Sequence, residues 1–478
     1  MSQRQTRRDA LKTVGLGTAA AVAPSLVEAA DGRPPNVIVI LCDNLGYGDI
    51  GCFGSTKHRT PAIDRMAAES MRLTSFYVTS GVCTPSRASL MTGCYPRRVG
   101  LHVNAEGRQV LFPLDRKGLH PDETTIAALL RQRGYATACI GKWHLGDQPP
   151  FLPTRHGFQT YFGIPYSEDM VARRGRNWPP LPLMSGEKVI EAPVDRSRLT
   201  QRYTQKAIEF ITAHKDGPFF LYLPHAMPGS TPKSFASPRF RGKSANGSYG
   251  DAVEELDWST GEILAALTKL GIDDRTLVVW TSDNGAVRGH GGSNAPLGGW
   301  GYTTAEGGMR VPCIVRWPGR IPAGRACDEL CTTMDILPTL ARLAGTKAPA
   351  DRIIDGKDIW PILSGEAGAA SPHEAFFYYY LAQLQAVRAG KWKLALPLEA
   401  RWHSFGGAAA KCPATLYDLE ADIGETSNVA DRHPDVVRSL MALADKARDD
   451  LGDLNRPGRN QRPAGMVKSP KPQVLPSK

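Results

Sequence analysis

Short apolar runs recur along the chain, separated by stretches in which apolar residues return at helical spacing. The runs are rich in β-branched residues and predict buried strands over 36–41, 136–140, 219–223, 276–281 and 312–316. The stretches between them predict helices over 61–72, 123–133, 200–214 and 250–270. Because strand and helix alternate, the pattern predicts an α/β fold with a mostly parallel central sheet flanked by helices on both faces.

The pattern changes near residue 370. Strands are predicted over 376–380, 384–388, 392–396 and 415–419, followed by an amphipathic helix over 434–451. Strands in a run with few helices between them indicate a smaller antiparallel sheet with one helix packed on it. We therefore divide the chain into an α/β domain over 31–370 and a C-terminal α+β subdomain over 371–452. Segments 149–198 and 226–248, rich in Pro, Gly and Arg, are predicted to be long loops.

The two ends of the chain differ from its body. Arg7 and Arg8 precede an Ala/Gly-rich apolar stretch and a small-residue region, so 1–30 resembles a Tat-type export signal. This predicts the Tat translocase as a partner and a periplasmic or extracellular location in a bacterium; an ordinary flexible N-terminus is the alternative. From residue 456 onward there are six Lys or Arg residues and no acid. We expect 453–478 to be a basic, proline-rich, disordered tail.

Bulk composition narrows the class of protein. The 478 residues are 42% hydrophobic and 22% charged, which is ordinary for a globular protein. The body of the chain contains no apolar run of roughly 18 residues, so no membrane span is predicted. The formal net charge is +11, but no basic cluster is interleaved with aromatic residues, and we expect no nucleic-acid partner. The nine cysteines include no CxxC pair, which argues against structural zinc.

Groups that bind metals or anions follow four of the predicted strands. They are Asp43 with Asn44, Lys142 with His144, His225, and Asp283 with Asn284. Ligands of open α/β sheets gather beyond the carboxyl ends of the parallel strands, so we expect these side chains to converge. Two carboxylates and two amide oxygens are hard ligands that suit Ca²⁺ or, less well, Mg²⁺. Taken singly, each Asp-Asn pair also fits a turn or a helix cap.

The segment CTPSRASLMTG, from Cys83 to Gly93, is the most specific motif. Pro85 and Ser86 open a helical run, which puts Cys83 beside a helix N-terminus that favours an anion. This segment resembles the sulfatase consensus, in which the cysteine of a C-x-P-S-R motif is oxidised to formylglycine. In that setting Arg87 adds a guanidinium fork suited to the oxygens of a sulfate ester. A buried or disulfide-bonded cysteine at a helix start is the alternative.

Other segments extend the resemblance to sulfatases, members of the alkaline phosphatase superfamily, from about residue 35 to 450. Segments 43–49 and 280–285 are similar to the family's two metal motifs. Segment 141–146 is similar to the one whose Lys and His contact the sulfate and the hydrated aldehyde. The resemblance implies an arylsulfatase-like hydrolase of small-molecule or glycan sulfate esters. It also implies Ca²⁺ as cofactor and a formylglycine-generating enzyme as maturation partner.

The resemblance further implies a mechanism. One hydroxyl of the aldehyde hydrate at Cys83, activated by Ca²⁺ and Arg87, attacks sulfur and expels the alcohol. Lys142 neutralises charge on the transferring group and binds the substrate. A histidine, with His225 as the candidate, protonates the leaving oxygen. The second hydroxyl, deprotonated with help from His144, then collapses to the aldehyde and releases sulfate.

Three positions depart from the family's commonest pattern. Asn44 replaces an aspartate, which removes one negative charge from the metal site. Gly229 or Ser230 occupies the place of the leaving-group histidine, so His225 would have to reach in from a shifted loop; otherwise it is a strand-end histidine held by backbone contacts. Gly301 falls where many sulfatases have a sulfate-binding lysine. His290, nearby, is a candidate substitute donor or a solvated loop histidine.

These departures leave two further functions open. A phosphate or phosphonate ester hydrolase would keep the scaffold and the formylglycine but transfer a different group. A catalytically weak or silent homologue would keep the scaffold to bind sulfated glycans.

Overall fold

The computed structural model describes residues 33–173, 175–403, 407–409, 411–454 and 456–475. Its strands are β1 (Asn36–Asp43), β2 (Met71–Leu73), β3 (Phe76–Tyr77), β4 (Lys117–Gly118), β5 (Ala136–Ile140), β6 (Thr160–Gly163), β7 (Leu183–Ser185), β8 (Lys188–Glu191), β9 (Phe219–Pro228), β10 (Thr276–Ser282), β11 (Cys313–Arg316), β12 (Arg325–Cys327), β13 (Cys331–Thr332), β14 (Phe376–Tyr380), β15 (Gln383–Ala389), β16 (Trp392–Ala395), β17 (Arg401–His403), β18 (Gly407–Ala409), β19 (Thr415–Asp418), β20 (Gly452–Asp453), β21 (Arg456–Pro457) and β22 (Gly465–Met466). Its α-helices are α1 (Pro61–Ala68), α2 (Cys83–Thr92), α3 (Ile126–Arg131), α4 (Leu199–Ala213), α5 (Gly247–Lys269), α6 (Glu306–Met309), α7 (Ile336–Leu343), α8 (Trp360–Leu363) and α9 (Pro434–Leu451).

The central sheet has ten strands in the order β12-β2-β11-β10-β1-β9-β5-β6-β7-β8. Its five middle strands, from β10 to β6, are parallel. Antiparallel strands flank them, because β11 pairs antiparallel with β10 and β7 pairs antiparallel with β6. The mostly parallel sheet predicted from the sequence is confirmed. The carboxyl ends of the five parallel strands lie along one edge, where a site is expected.

The two faces of this sheet carry separate cores. In β1, Val37, Val39 and Leu41 belong to the apolar cluster that includes the buried side of α2. Ile38 and Ile40 belong to the opposite cluster, which includes residues of α4 and α5. Every residue of β1 is buried, as a central parallel strand covered on both faces requires. The predicted helices on both faces are therefore confirmed.

The C-terminal subdomain contains a second sheet in the order β14-β15-β16-β19. All three pairings are antiparallel, and α9 packs against β15 and β16. The predicted antiparallel sheet with one helix is confirmed, and α9 begins and ends at the predicted residues. Lys393 of β16 contacts Glu306 of α6 at 3.0 Å, so a buried ion pair joins the C-terminal sheet to α6 of the α/β domain.

The prediction of a disordered tail is wrong for the described residues 456–475. Strand β22 pairs antiparallel with β4, and Arg462 forms an ion pair with Glu123 at 2.7 Å. Gln473 Nε2 donates to the carbonyl oxygen of Asp147 at 2.7 Å. Low hydrophobicity predicted disorder, but the backbone and the basic side chains of this segment find fixed partners on the α/β domain.

Two further predictions concern the loops and the N-terminus. Segment 149–198 is not a simple loop, because β6, β7 and β8 within it extend the central sheet. The export signal predicted over 1–30 lies outside the described residues. Within the described ranges, we find no helix that is both long and apolar enough to cross a membrane.

Candidate active site

The ends of β1 and β10 and the turn after β5 bring charged side chains together. Lys142 Nζ donates to both carboxylate oxygens of Asp43 at 2.9 Å. Asp283 receives the backbone N–H of Asn44 at 3.0 Å. All four residues are buried. The convergence predicted from residues that follow separate strands is therefore found for this set.

Cys83 is the first residue of α2 and is only 2% exposed. Its Sγ lies 3.4 Å from Asp43 Oδ1 and 3.5 Å from Lys142 Nζ. Val82 precedes the helix in an extended conformation, and its carbonyl oxygen accepts from the N–H of Ser86 at 3.2 Å. The helix start thus points its first residue at the charged cluster, as the sequence predicted.

Arg87, one turn further along α2, contacts the carboxylates. Its Nε and NH2 donate to Asp283 Oδ2 at 2.9 and 2.7 Å, and NH2 lies 3.2 Å from Asp43 Oδ1. NH1 donates to the carbonyl oxygen of Lys142 at 2.9 Å. In the described structure Arg87 therefore bridges the two acidic strand ends. The direct contact with a sulfate ester expected from the sequence stays a prediction.

The two carboxyl groups are in different electrostatic settings. Burial raises the pKa of Asp283 to about 6, and the charge of Asp43 adds to this while Arg87 opposes it. Burial also acts against ionised Asp43, but Lys142 and Arg87 outweigh it and hold the pKa of Asp43 below its usual value. Two buried carboxylates side by side repel each other, so a bound cation would be stabilised between them.

The residues present fit a hard divalent cation. One ligand atom each from Asp43, Cys83 and Asp283 all lie within 4.8 Å of one another. Asn284 Oδ1 is buried and has no hydrogen-bond partner among the described residues, while its Nδ2 lies 2.6 Å from Asn44 Oδ1. Two carboxylates with the amide groups of Asn44 and Asn284 beside them match the oxygen preference of Ca²⁺. The predicted metal residues are thus brought together.

A cavity of about 190 Å³ opens beside Cys83. His144 also lines it; its Nε2 lies 2.9 Å from the carbonyl oxygen of Leu111, and its Nδ1 has no partner among the described residues. Because a carbonyl oxygen only accepts, Nε2 must carry the proton and Nδ1 keeps its lone pair. Burial, then the charge of Lys142, lowers the pKa of His144 well below its usual value. His144 is therefore a neutral imidazole with a free acceptor nitrogen.

Two predicted histidines are not brought to this cluster. His225 is fully buried on the α4 and α5 face of the sheet, where its Nε2 lies 3.4 Å from Ser259 Oγ. Burial lowers its pKa to about 3. His290 is half-buried in the loop after β10, and its Nδ1 has no partner among the described residues. His225 is also not the strand-end histidine held by backbone contacts, because it lies within β9 and its Nε2 faces the Ser259 side chain.

At Gly229 and Gly301, which depart from the family's commonest pattern, other atoms pack closely against the backbone. Gly229 has a φ of +91°, and a Cβ there would lie 2.5 Å from Glu168 Oε1. A Cβ on Gly301 would lie 2.3 Å from the carbonyl oxygen of Gly285. Neither position has room for a side chain without rearrangement.

Sequence reasoning missed three residues beside the cavity and named Ser230 only as an alternative to Gly229. Ser167, Ser230 and Tyr302 line it, and Glu168 lies directly behind Ser167 and Ser230. Ser167 Oγ accepts from Lys142 Nζ at 3.0 Å, which joins this group to the charged cluster. Ser167 and Glu168 follow β6, so the signal available was the same as for the other strand ends. Because 149–198 is predicted to be a loop, β6 and the polar residues that follow it are not recognised from the sequence.

Comparison with known proteins identifies relatives over most of the chain. The family model described as Sulfatase matches residues 35–346, and the one described as N-sulphoglucosamine sulphohydrolase, C-terminal, matches 302–448. The N-acetylgalactosamine-6-sulfatase of Mus musculus is 41% identical over 410 residues, covering 81% of this chain and 77% of that protein. The arylsulfatase A of Homo sapiens is 37% identical over 452 residues, covering 86% and 87%.

Solved structures agree with these relatives. The PsFucS1 sulfatase from Pseudoalteromonas sp. superposes with a TM-score of 0.77 at 28% identity, over 87% of this chain and 91% of that one. A Bacteroides thetaiotaomicron structure from work on the metabolism of multiple glycosaminoglycans gives 0.75 at 30% identity, over 87% and 99%. The phosphonate monoester hydrolase of Agrobacterium radiobacter shares the fold, with a TM-score of 0.58 at 21% identity. The chain therefore belongs to the sulfatase family, and it is a sulfuric ester hydrolase.

Proposed function

We propose that this hydrolase cleaves sulfate esters with a formylglycine made from Cys83 and with Ca²⁺ held by Asp43, Asn44, Asp283 and Asn284. The observation that carries the proposal is the position of Cys83, between Lys142 and the acidic strand ends and at the wall of the cavity. A thiol suits softer metals, whereas Ca²⁺ takes oxygen ligands. Oxidation to a hydrated aldehyde replaces that sulfur by oxygen and makes the ligand set uniform.

The chain's own residues have defined tasks in this proposal. Bound Ca²⁺ would act as a Lewis acid that polarises the ester oxygens and the hydroxyl at residue 83. Lys142 brings a positive charge to the sulfate oxygens as the bond to the alcohol breaks. Arg87 holds Asp43 and Asp283 in place for the cation. Cavity walls exclude bulk water, which strengthens these charge interactions.

His144 is the base in the second half of the reaction. Its Nδ1 is unprotonated, and His144 lines the same cavity as Cys83. It takes the proton from the second hydroxyl of residue 83, so that the C–O bond to sulfate breaks and the aldehyde returns. The hydrogen bond from Nε2–H to Leu111 fixes the tautomer that this step needs.

The rim of the cavity supports a carbohydrate sulfate ester as substrate. Phe112 lines the cavity, and Trp178 stacks on it with ring centroids 5.5 Å apart. The exposed guanidinium of Arg176 lies 5.2 Å from the Trp178 ring centroid and 5.7 Å from that of Phe112. Aromatic faces pack against sugar rings, and the guanidinium binds further anionic groups. This interpretation agrees with the N-acetylgalactosamine-6-sulfatase among the relatives.

Peptide mass spectrometry over Cys83 in protein from a host with the maturing enzyme tests the modification. Conversion of the thiol to the aldehyde lowers the peptide mass by about 18 Da. Only unmodified cysteine in fully active protein would refute the proposed nucleophile. Chelation should abolish turnover, and Ca²⁺ should restore it more fully than Mg²⁺ does.

Sulfate and phosphate monoesters of one phenol identify the transferred group. A higher kcat/KM for the sulfate ester supports this proposal, and a higher value for the phosphate ester favours the alternative hydrolase. Turnover that disappears in folded Cys83→Ala eliminates a silent binding protein.

We further propose export through the Tat translocase to the periplasm or beyond, on the basis of Arg7 and Arg8 before an apolar stretch. In the bacterial host, replacing both arginines by lysine should retain the full-length precursor in the cytoplasm. Unchanged export of that variant would refute this route.

A further inference from the structure

Glu168 is a fully buried carboxyl group behind the wall of the catalytic cavity. Its Oε1 accepts the backbone N–H of Ser230 at 2.5 Å, and its Oε2 lies 2.9 Å from Ser167 Oγ. Both serines line the cavity beside Cys83, whereas Glu168 itself does not reach it. One carboxyl oxygen is thus held by a backbone donor, and the other faces a hydroxyl that opens into the site.

The surroundings of Glu168 favour its neutral form. Burial, followed by the negative charge of Asp43, raises its pKa to about 8, while Lys142 opposes the shift. The charged and titratable groups that face the Glu168 side chain are Asp43, Lys142, Asp169 and Tyr203. Arg196 contacts the same residue, because its NH1 donates to the backbone carbonyl oxygen of Glu168. These surroundings therefore favour the protonated carboxyl group over the carboxylate.

The hydrogen bonds around Glu168 indicate which carboxyl oxygen would carry the proton and which group would receive it. With the Ser230 N–H on Oε1, a proton on Oε2 would be donated to Ser167 Oγ, which lies 2.9 Å away. Lys142 Nζ also donates to Ser167 Oγ, at 3.0 Å, so both acceptor positions of the hydroxyl oxygen are filled. The hydroxyl proton of Ser167 is then left to point towards Ser230 Oγ, 3.4 Å away, and the cavity that both serines line.

The histidine that the sequence offers as the acid does not line this cavity. His225 packs on the other face of the sheet, and the family resemblance puts Gly229 or Ser230 where a histidine is usual. A Cβ at residue 229 would lie 2.5 Å from Glu168 Oε1, so a larger residue at 229 would require the carboxyl group of Glu168 to move. The absence of a side chain at Gly229 leaves the space that the Glu168 carboxyl group occupies.

We propose that Glu168 is the proton source for the departing alcohol and acts through Ser167. As the S–O bond breaks, its electron pair stays on the leaving oxygen, which takes the Ser167 hydroxyl proton. Ser167 takes the proton of Glu168, and Glu168 becomes a carboxylate facing Lys142 and the Ser230 N–H. Water that enters after sulfate leaves returns a proton to Glu168. Glu168 touches the ester only through Ser167, so it is a positioning residue.

The test rests on the proposed function and uses Glu168→Gln in mature enzyme loaded with Ca²⁺. The amide keeps an acceptor for the Ser230 N–H and a donor for Ser167, but it cannot release a proton. For the sulfate ester of a weakly acidic alcohol, kcat/KM should fall about 10²- to 10³-fold. For the ester of a strongly acidic phenol, which leaves without protonation, it should fall less than about tenfold. Glu209→Gln, on the exposed side of α4, should change neither value.

Equal losses for both esters would show a purely structural role and overturn the assignment. A second readout is independent of turnover: the infrared spectrum of wild type minus Glu168→Gln at neutral pH should contain a protonated-carboxyl band. A carboxylate band in its place would also overturn the assignment. Failure of mature wild type to cleave any sulfate ester would instead overturn the proposed function and this role together.

Discussion

Asn44 and Asn284 face each other across the ends of β1 and β10, with 2.6 Å between Oδ1 of the first and Nδ2 of the second. Asn44 Nδ2 in turn donates to Ser230 Oγ at 2.9 Å. The amide at 44 therefore connects the proposed metal site to the wall of the cavity. An aspartate there would bring a third carboxylate close to Asp43 and Asp283.

Asn44→Asp should strengthen Ca²⁺ binding and weaken the metal-free fold. An added negative charge attracts the cation, and without the cation it repels two buried carboxylates. We expect about tenfold tighter Ca²⁺ binding by calorimetry, a lower Tm after chelation, and a larger rise of Tm on adding Ca²⁺ than in wild type. Gln201→Glu on α4 adds the same charge away from the site and is the control. An unchanged affinity would show that residue 44 is not a ligand.

Lys142→Met should abolish most activity and destabilise the protein. Both carboxylate oxygens of Asp43 accept from this side chain, and neither partner is exposed. Loss of a positive charge at the transferring group should lower kcat about 10²- to 10³-fold. Breaking the buried pair should cost about 3–5 kcal/mol in metal-free protein. Lys206→Met, a half-exposed site on α4, is the control; similar losses in both variants would contradict a role at the site.

The site could be predicted from sequence where polar residues stand directly after a strand. Asp43 and Asp283 were found in this way because parallel strands bring their carboxyl ends to one edge. His225 was misplaced because β9 continues to Pro228 instead of stopping at 223. Within the longer strand His225 shares the parity of Leu221 and Leu223, so it points towards α4 and α5.

Other features depended on tertiary contacts that no local pattern displays. Glu168 follows β6, a four-residue strand too short to stand out from a Pro- and Gly-rich segment. Order in 456–475 depends on pairing with β4 and on the acidic group of Glu123, both far away in sequence. The composition of a segment indicates only how much apolar surface that segment can bury by itself. Residues 456–475 are instead ordered by their contacts with other parts of the chain.

The stability of the protein should fall as pH rises through the titration of Glu168. The pKa of its carboxyl group is raised from 4.5 to about 8, so the folded state favours the neutral form. The stabilisation from the protonated Glu168 carboxyl group is complete below about pH 4.5 and is lost as pH rises through about 8. Each tenfold difference in proton affinity between the folded and unfolded chain corresponds to about 1.4 kcal/mol of stability. Glu168→Gln should therefore have a flatter pH profile by urea unfolding and exceed wild type at pH 9. Parallel profiles would mean that Glu168 is ionised in the folded protein.

Lys393→Met should destabilise the contact between the C-terminal sheet and α6 of the α/β domain. Lys393 Nζ lies 3.0 Å from Glu306 Oε1 and 2.7 Å from Glu425 Oε1, and the lysine and Glu306 are nearly inaccessible to solvent. Removing the cation leaves buried negative charge without its partner, at a cost of about 3–5 kcal/mol in the free energy of unfolding. Lys391→Met removes the more exposed pair with Asp418 and should cost less than about 1 kcal/mol. Equal effects of the two variants in urea unfolding would contradict this difference.

Arg462 and Glu123 should be energetically coupled, because this pair fastens the C-terminal segment to the α/β domain. Arg462 Nε and NH2 donate to the two carboxylate oxygens at 2.7 and 2.9 Å, and the Glu123 side chain is only 4% exposed. A double-mutant cycle with Arg462→Ala and Glu123→Gln should give a coupling of about 1–3 kcal/mol in the free energy of unfolding. The exposed pair of Lys446 and Glu374 should give less than about 0.5 kcal/mol in a matched cycle. Additive effects at 462 and 123 would mean that the segment is held by its strand pairing alone, and the ion pair would then be incidental to its order.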